Sequence, residues 1–164
     1  MKAQDYVVKH LARRDFLSIT VSALAGLLVI ARQAHGLAPN KELDNAKRKY
    51  HSSAPNGPLP ALLDASQFSN RPVVERVYAL AAMVGPVLYQ LPCYCDCDRE
   101  RGHQSLYDCF VGSHGAECGI CQREVVFAVI QTKHGLSPSD IRAKLANGDW
   151  RNIKLDSVSD LPAA

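Results

Sequence analysis

The sequence predicts a small all-α domain with a cysteine-rich loop cluster, preceded by a signal segment and a flexible linker. Apolar residues recur at helical spacing in several segments between residues 70 and 150, and no segment alternates convincingly over the length of a strand. All six cysteines fall between residues 93 and 121. We expect a signal peptide at residues 1–36, a linker at 37–58, the cysteine-rich domain at 59–150 and a polar tail at 151–164.

The first segment is typical of a bacterial export signal. Arg13 and Arg14 are followed by Phe16-Leu17 and by an apolar stretch from Ser18 to Ala31. This stretch is shorter than the roughly 20 residues of a membrane span, and the paired arginines resemble a twin-arginine signal. We expect cleavage after Gly36, a periplasmic or extracytoplasmic location and no stable membrane insertion afterwards. An ordinary secretory signal and an N-terminal anchor helix remain alternatives.

The charge distribution weakens a nucleic-acid or membrane-surface function. Residues 1–36 contain five basic and two acidic residues, and the rest of the chain carries equal numbers of each. No polybasic surface is therefore visible in the expected mature protein. The linker is polar and rich in proline, and we expect its short basic run, residues 47–49, to be solvated.

Four helical segments are predicted around the cysteines. The first has Asn70 as its N-cap and Pro72 in its first turn, and it stops at Gly85-Pro86. A short helix at residues 105–111 places Leu106, Cys109 and Phe110 on one face. A strongly apolar helix from Gly119 to His134, ended by Gly135, is expected to be the central buried helix. Ser137 then begins a capping box for the last helix, whose apolar face is formed by Ile141, Leu145 and Trp150.

The spacing of the cysteines limits how they can pair or bind. Cys118 and Cys121 form a CxxC at the start of a helix, where the helix N-terminus stabilises thiolates. Cys93, Cys95 and Cys97 form a CxCxC run, and in a flat strand such residues lie about 6.6 Å apart. Two thiolates on one tetrahedral zinc lie only about 3.8 Å apart. We therefore expect this run to be a curled loop after Pro92 rather than a strand.

These motifs together resemble a bacterial family. The residues that carry the likeness are Leu91-Pro92-Cys93-Tyr94-Cys95-Asp96-Cys97, the segment from Gly102 to Phe110, Ser113-His114-Gly115 and Cys118-Gly119-Ile120-Cys121. Over residues 59–147 the chain is similar to the PCYCGC-motif family, also called CYCXC. It departs from the family pattern at Asp96, where that pattern usually has Gly. The resemblance implies no established function.

Three functions remain open from the residues alone. The first is an exported metal-binding protein that holds a soft metal, either Cu(I), Zn(II) or, less favourably, an iron–sulfur cluster. Its expected ligands are Cys93, Cys95, Cys97, Cys109, Cys118, Cys121, His103 and His114. The second is an extracytoplasmic structural domain stabilised by disulfides. The third is a thiol–disulfide redox protein that uses Cys118 and Cys121. No hydrolase or transferase motif is present, and the sequence identifies no protein partner.

Overall fold

The computed structural model describes residues 47–160, and within this range all regular structure is helical, which confirms the expected all-α fold. The α-helices of this range are α1 (Pro72–Met83), α2 (Gly85–Leu88), α3 (Cys97–Glu100), α4 (Asp108–Val111), α5 (His114–Glu117), α6 (Gly119–Lys133) and α7 (Pro138–Asn147). Short 3₁₀ helices lie at Ala65–Phe68, Asp149–Asn152 and Leu155–Asp160. None of these helices is long and apolar enough to cross a membrane. The predicted signal peptide lies outside the described residues, as do residues 37–46 of the linker and 161–164 of the tail.

Helix α6 is the centre of the domain, as its composition predicts. All five residues from Val125 to Val129 are buried, so the helix is enclosed on every side rather than along one stripe. It packs against α1 and α7. The helix ends after Lys133, and Gly135 takes the positive φ of 79° that follows many helix ends. The cysteine at the first turn of α6 is therefore attached to the most enclosed element of the domain.

Helix α1 supplies the second layer of the core, but it begins differently from the expectation. Pro72 occupies its first turn, and Val77 and Leu80 are fully buried. The prediction that Asn70 caps this helix is wrong, because the N-cap is Arg71 and it makes no side-chain capping bond. Helix α1 ends at Met83, and α2 begins at Gly85, where the sequence predicts a stop.

The C-terminal part closes the core from the other side. Ser137 caps α7 by accepting a hydrogen bond from the backbone N–H of Asp140 at 3.2 Å, as expected from the capping pattern. The side chains of Ile141 and Leu145 are fully buried, and Trp150 is only 5% exposed. Beyond them, the 3₁₀ helix Leu155–Asp160 packs against α1 and places Val158 in the core.

The described part of the predicted linker lies against the domain. The His51 ring stacks on the Tyr89 ring with 3.7 Å between their centroids. Lys47 and Lys49 are exposed, as expected, but the prediction of a solvated run is wrong for Arg48, which is only 9% exposed. Its guanidinium is buried because it contacts the carboxylates of Asp96 at 2.7 Å and Asp98 at 3.6 Å.

Candidate metal centre

The fold brings together all eight residues that the sequence singles out. We call them the thiol–imidazole cluster: Cys93, Cys95, Cys97, His103, Cys109, His114, Cys118 and Cys121. Their ligand atoms fall into overlapping groups in which every atom lies within 4.8 Å of the others. All six thiols are free, with no disulfide among them. These groups of soft donors could hold a metal ion.

The CxCxC run is a curled loop, which confirms the expectation from the ligand distances. Asp96 adopts a left-handed conformation with φ of 67°, and α3 begins at the next residue. The Sγ atoms of Cys93 and Cys95 lie 3.3 Å apart, about half the spacing of alternate residues in a strand. The curled loop therefore brings the thiols of Cys93, Cys95 and Cys97 within 4.8 Å of one another.

The first set of donors, group A, contains Cys95, His114, Cys118 and Cys121. Cys95 Sγ lies 3.3 Å from His114 Nε2 and 3.5 Å from Cys121 Sγ. Cys118 is the N-cap residue of α6, and Cys121 lies in its first turn. Group A is thus formed where the curled loop meets the N-terminus of the central helix.

The second set, group B, contains Cys97, His103, Cys109 and His114. Cys97 Sγ and Cys109 Sγ are 3.5 Å apart, and Cys109 Sγ lies 3.4 Å from His103 Nδ1. The four donors come from α3, from the loop that follows it, from α4 and from the first residue of α5. The rings of His103 and His114 meet edge to face with 5.3 Å between centroids, so both histidines lie beside thiols.

Cys93 lies between the two groups. Its Sγ is 3.3 Å from that of Cys95 and 3.5 Å from that of Cys121, both in group A. The thiols of Cys97 and Cys109, both in group B, lie within 4.8 Å of it. Only 4% of Cys93 is exposed, so this central thiol is shielded from water.

Hydrogen bonds between neighbouring thiols shift their pKa values in opposite directions. Hydrogen bonds from Cys109, Cys118 and Cys121 lower the pKa of Cys95. Hydrogen bonds from Cys121 and Cys93 lower the pKa of Cys109 to about 4. The thiols of Cys93 and Cys121 have raised pKa values, chiefly because each is hydrogen bonded to Cys109. These hydrogen bonds therefore favour the thiolate form at Cys95 and Cys109, and the thiolate is the form that binds a metal.

Glu124 holds the CxCxC loop in place through a backbone hydrogen bond, and the sequence analysis missed this residue. It is fully buried on α6, one turn after Cys121, and one carboxylate oxygen accepts the backbone N–H of Tyr94 at 2.9 Å. Burial raises the pKa of this carboxyl well above its usual value, against smaller lowering contributions from Cys93 and the Tyr94 N–H. This bond fixes the CxCxC loop to the central helix. The one carboxylate of this helix, placed directly before the apolar run from Val125 to Ile130, was the available signal.

The turn that carries His114 is held by three polar contacts and one close approach. The Tyr78 hydroxyl donates to Gly112 O at 2.7 Å and accepts from the backbone N–H of Ala116 at 3.1 Å. The Gln122 side-chain amide donates to Gly115 O at 2.9 Å. A Cβ added at Gly115 would lie 2.6 Å from the Phe110 ring, so only glycine allows this approach.

The Asp96 position explains the departure from the family pattern. A left-handed φ suits the Gly of that pattern, and Asp is one of the few other residues that adopt it readily. The Asp96 carboxylate accepts a hydrogen bond from Arg48 at 2.7 Å. Asp98 is buried beside the same guanidinium. The charge at Asp96 therefore points to Arg48 and not to the thiols.

Comparison with known proteins places the chain in a family without assigning it an activity. No curated protein and no solved structure gives a significant match to the chain. The model of a family described as a protein of unknown function with PCYCGC motif matches residues 30–151, which is most of the chain. The resemblance inferred from the cysteine motifs is thereby confirmed, and the chain belongs to the PCYCGC-motif family.

Proposed function

We propose that this protein is an exported metal-binding protein that holds a soft metal, Cu(I) or Zn(II), in the thiol–imidazole cluster. The observation that carries the proposal is the convergence of eight donors, drawn from residues 93–121, into groups whose atoms lie within 4.8 Å of one another. A purely structural role would not need so many free thiols at ligand spacing, since one tetrahedral ion uses four.

The donor set favours particular metals. Thiolates favour Cu(I), Zn(II) and iron–sulfur clusters over Mg²⁺ or Ca²⁺, which prefer oxygen ligands. Each group includes an imidazole beside its thiols, His114 in both and His103 in group B. Imidazole is a common ligand of zinc and copper, whereas most iron–sulfur clusters are bound by four cysteines. An iron–sulfur cluster is accordingly the weaker alternative.

We also propose that the protein acts outside the cytoplasm after twin-arginine export. This part of the proposal is supported by the sequence around Arg13 and Arg14 alone. The twin-arginine route carries folded proteins, so metal could be inserted in the reducing cytoplasm before export. Metal bound before export would also protect the six thiols, which an oxidising compartment would otherwise convert to disulfides.

The test is elemental analysis of the protein purified without oxygen, together with a count of reactive thiols before and after denaturation and metal removal. The proposal predicts a stoichiometric soft metal and thiols that react only after the metal is stripped. A protein that takes up neither Cu(I), Zn(II) nor iron under reducing loading conditions would contradict it. If the thiols are instead lost to disulfides in the native protein, the structural alternative is favoured.

A second candidate, thiol–disulfide exchange, is favoured by one observation. Cys118 is half-buried at the N-terminus of the 15-residue helix α6, while Cys121, three residues later, is fully buried. An accessible thiol next to a protected one is the arrangement used by redox proteins with a CxxC pair. Exchange activity that is lost in Cys118→Ser, in protein containing no metal, would support this candidate over metal binding.

A further inference from the structure

The eight donors are more than one metal ion can use. Groups A and B share only His114, and Cys118 and Cys121 of group A are in no common group with His103. An ion with bonds of about 2.3 Å to sulfur contacts donors that lie about 3.8 Å apart, and a tetrahedral site takes four of them. A single ion would therefore leave half of the cluster without a partner.

The position of Cys93 supplies a connection between the two groups. Its Sγ lies within ligand spacing of Cys95 and Cys121 on one side and of Cys97 and Cys109 on the other. A thiolate has more than one lone pair and can bind two ions at once. Water or hydroxide can also bridge two metal ions. Cys93 is only 4% exposed, so water is excluded from this position and the thiolate is left as the bridging ligand.

Charge also favours two ions. The sulfurs of Cys93, Cys97, Cys109 and Cys121 are buried, and unpaired thiolates there would carry a large desolvation cost. One divalent ion compensates two of the six thiolates, whereas two ions compensate four. Full deprotonation of the cluster is therefore far less costly with two ions than with one.

We propose that the cluster binds two divalent ions, one in group A and one in group B, with Cys93 as the bridging thiolate; this rests on the proposed function. In group A the ligands are Cys95, Cys118, Cys121 and His114. In group B they are Cys97, Cys109 and His103, and Cys93 Sγ completes a four-coordinate site. The same sulfur is a fifth donor to the ion of group A, whose coordination is expanded from four to five by the bridge.

The experiment is a titration of the full chain, metal-free and reduced, with Co²⁺ under anaerobic conditions. Absorption measures the number of thiolate-bound ions, and electron paramagnetic resonance measures whether they are magnetically coupled. The proposal predicts two Co²⁺ per chain and, at saturation, a resonance signal far weaker per ion than that of isolated tetrahedral Co²⁺. This loss arises because two Co²⁺ ions exchange-couple through a shared sulfur.

Variants assign the two sites. Cys118→Ser removes a donor from group A alone, and His103→Ala removes one from group B alone. Both residues are half-buried, which limits the effect on folding. We expect each variant to bind one Co²⁺ tightly with a full, uncoupled signal, and to bind the second at least about tenfold more weakly. His134→Ala, an exposed histidine after α6, is the matched control and should behave as the parent protein.

The possible results separate this inference from the function on which it rests. Two ions with an undiminished signal would overturn the bridge, and one ion per chain would overturn the second site while leaving metal binding intact. Two coupled ions in the His103→Ala protein, with affinities like those of the parent, would overturn the assignment of group B. Absence of any thiolate-bound Co²⁺ would contradict the proposed function itself.

Discussion

Gly115→Ala is the substitution for which the structure gives the sharpest expectation. The new Cβ would lie 2.6 Å and 2.8 Å from two carbons of the Phe110 ring and 3.0 Å from the carbonyl oxygen of Cys109. Ordinary carbon contacts begin near 3.5 Å, so an adjustment of close to 1 Å is needed. The Phe110 ring is fully buried and packs edge to face on Tyr78, with 5.0 Å between centroids. The turn that carries His114 must therefore move instead.

We expect two measurable effects of this movement. Overpacking of this kind destabilises a domain by about 1–3 kcal/mol, which denaturant unfolding of the metal-free protein would measure. Displacement of His114 should also weaken metal binding, because His114 belongs to both donor groups. Competition with a coloured chelator would measure that loss in the folded protein.

Gly112→Ala is the matched control on the same turn. Nothing lies within 4 Å of a Cβ at Gly112, and its φ of −121° is accessible to alanine. Equal free energies of unfolding and equal metal affinities for the two alanine variants would refute the reasoning. Destabilisation by Gly115→Ala with unchanged metal affinity would refute only the link through His114.

Three further predictions concern residues that hold the cluster in place. Glu124→Ala should destabilise the protein by about 1–3 kcal/mol in chemical denaturation, because it removes the carboxylate that accepts the Tyr94 N–H, and Glu124→Gln should recover most of this. Arg48→Ala removes the cation beside Asp96 and should lower the free energy of unfolding by up to about 3 kcal/mol. Adding Asp96→Gly to that variant should restore about 1 kcal/mol of stability, because glycine adopts the left-handed backbone without strain. A double variant no more stable than Arg48→Ala would contradict this. Burial raises the pKa of Tyr78 to about 12, above an ordinary value of 10.0, so the unfolded state releases this proton first and the stability should fall as pH rises from about 10 to 12. Tyr78→Phe should lose that part of the pH dependence, and an unchanged difference between parent and variant over this range would contradict the assignment.

The elements that the sequence predicted well are those whose signal is local. Helix α6 was predictable because a segment with a strongly apolar centre lies between Gly119 and Gly135, and such a segment is typical of a buried helix. Its start, its end and its central position are as expected. The donors were predictable for a similar reason, since all eight lie within about 30 residues and short loops cannot separate them far.

The features that were missed depend on contacts between distant parts of the chain. Arg48 is buried because it meets Asp96, which lies 48 residues further along the chain, and no local pattern encodes that pairing. The burial of Glu124 depends on the Tyr94 N–H that it accepts, 30 residues earlier. The predicted cap at Asn70 failed because Arg71 takes the N-cap position and uses its guanidinium to contact Glu117 at 2.7 Å.

Helices α3, α4 and α5 have four residues each, and they carry or flank most of the donors. Helices this short have almost no stability of their own in water. The long helices α1, α6 and α7 contribute apolar side chains to the core, whereas the buried side chains of the segment between α2 and α6 include the thiols of Cys93, Cys97 and Cys109. Bound metal would then act as a cross-link between these turns, and amide hydrogen exchange there should slow on loading while the exchange of α6 changes little. We therefore expect the rate at which bound metal leaves to be set by how often the short turns open.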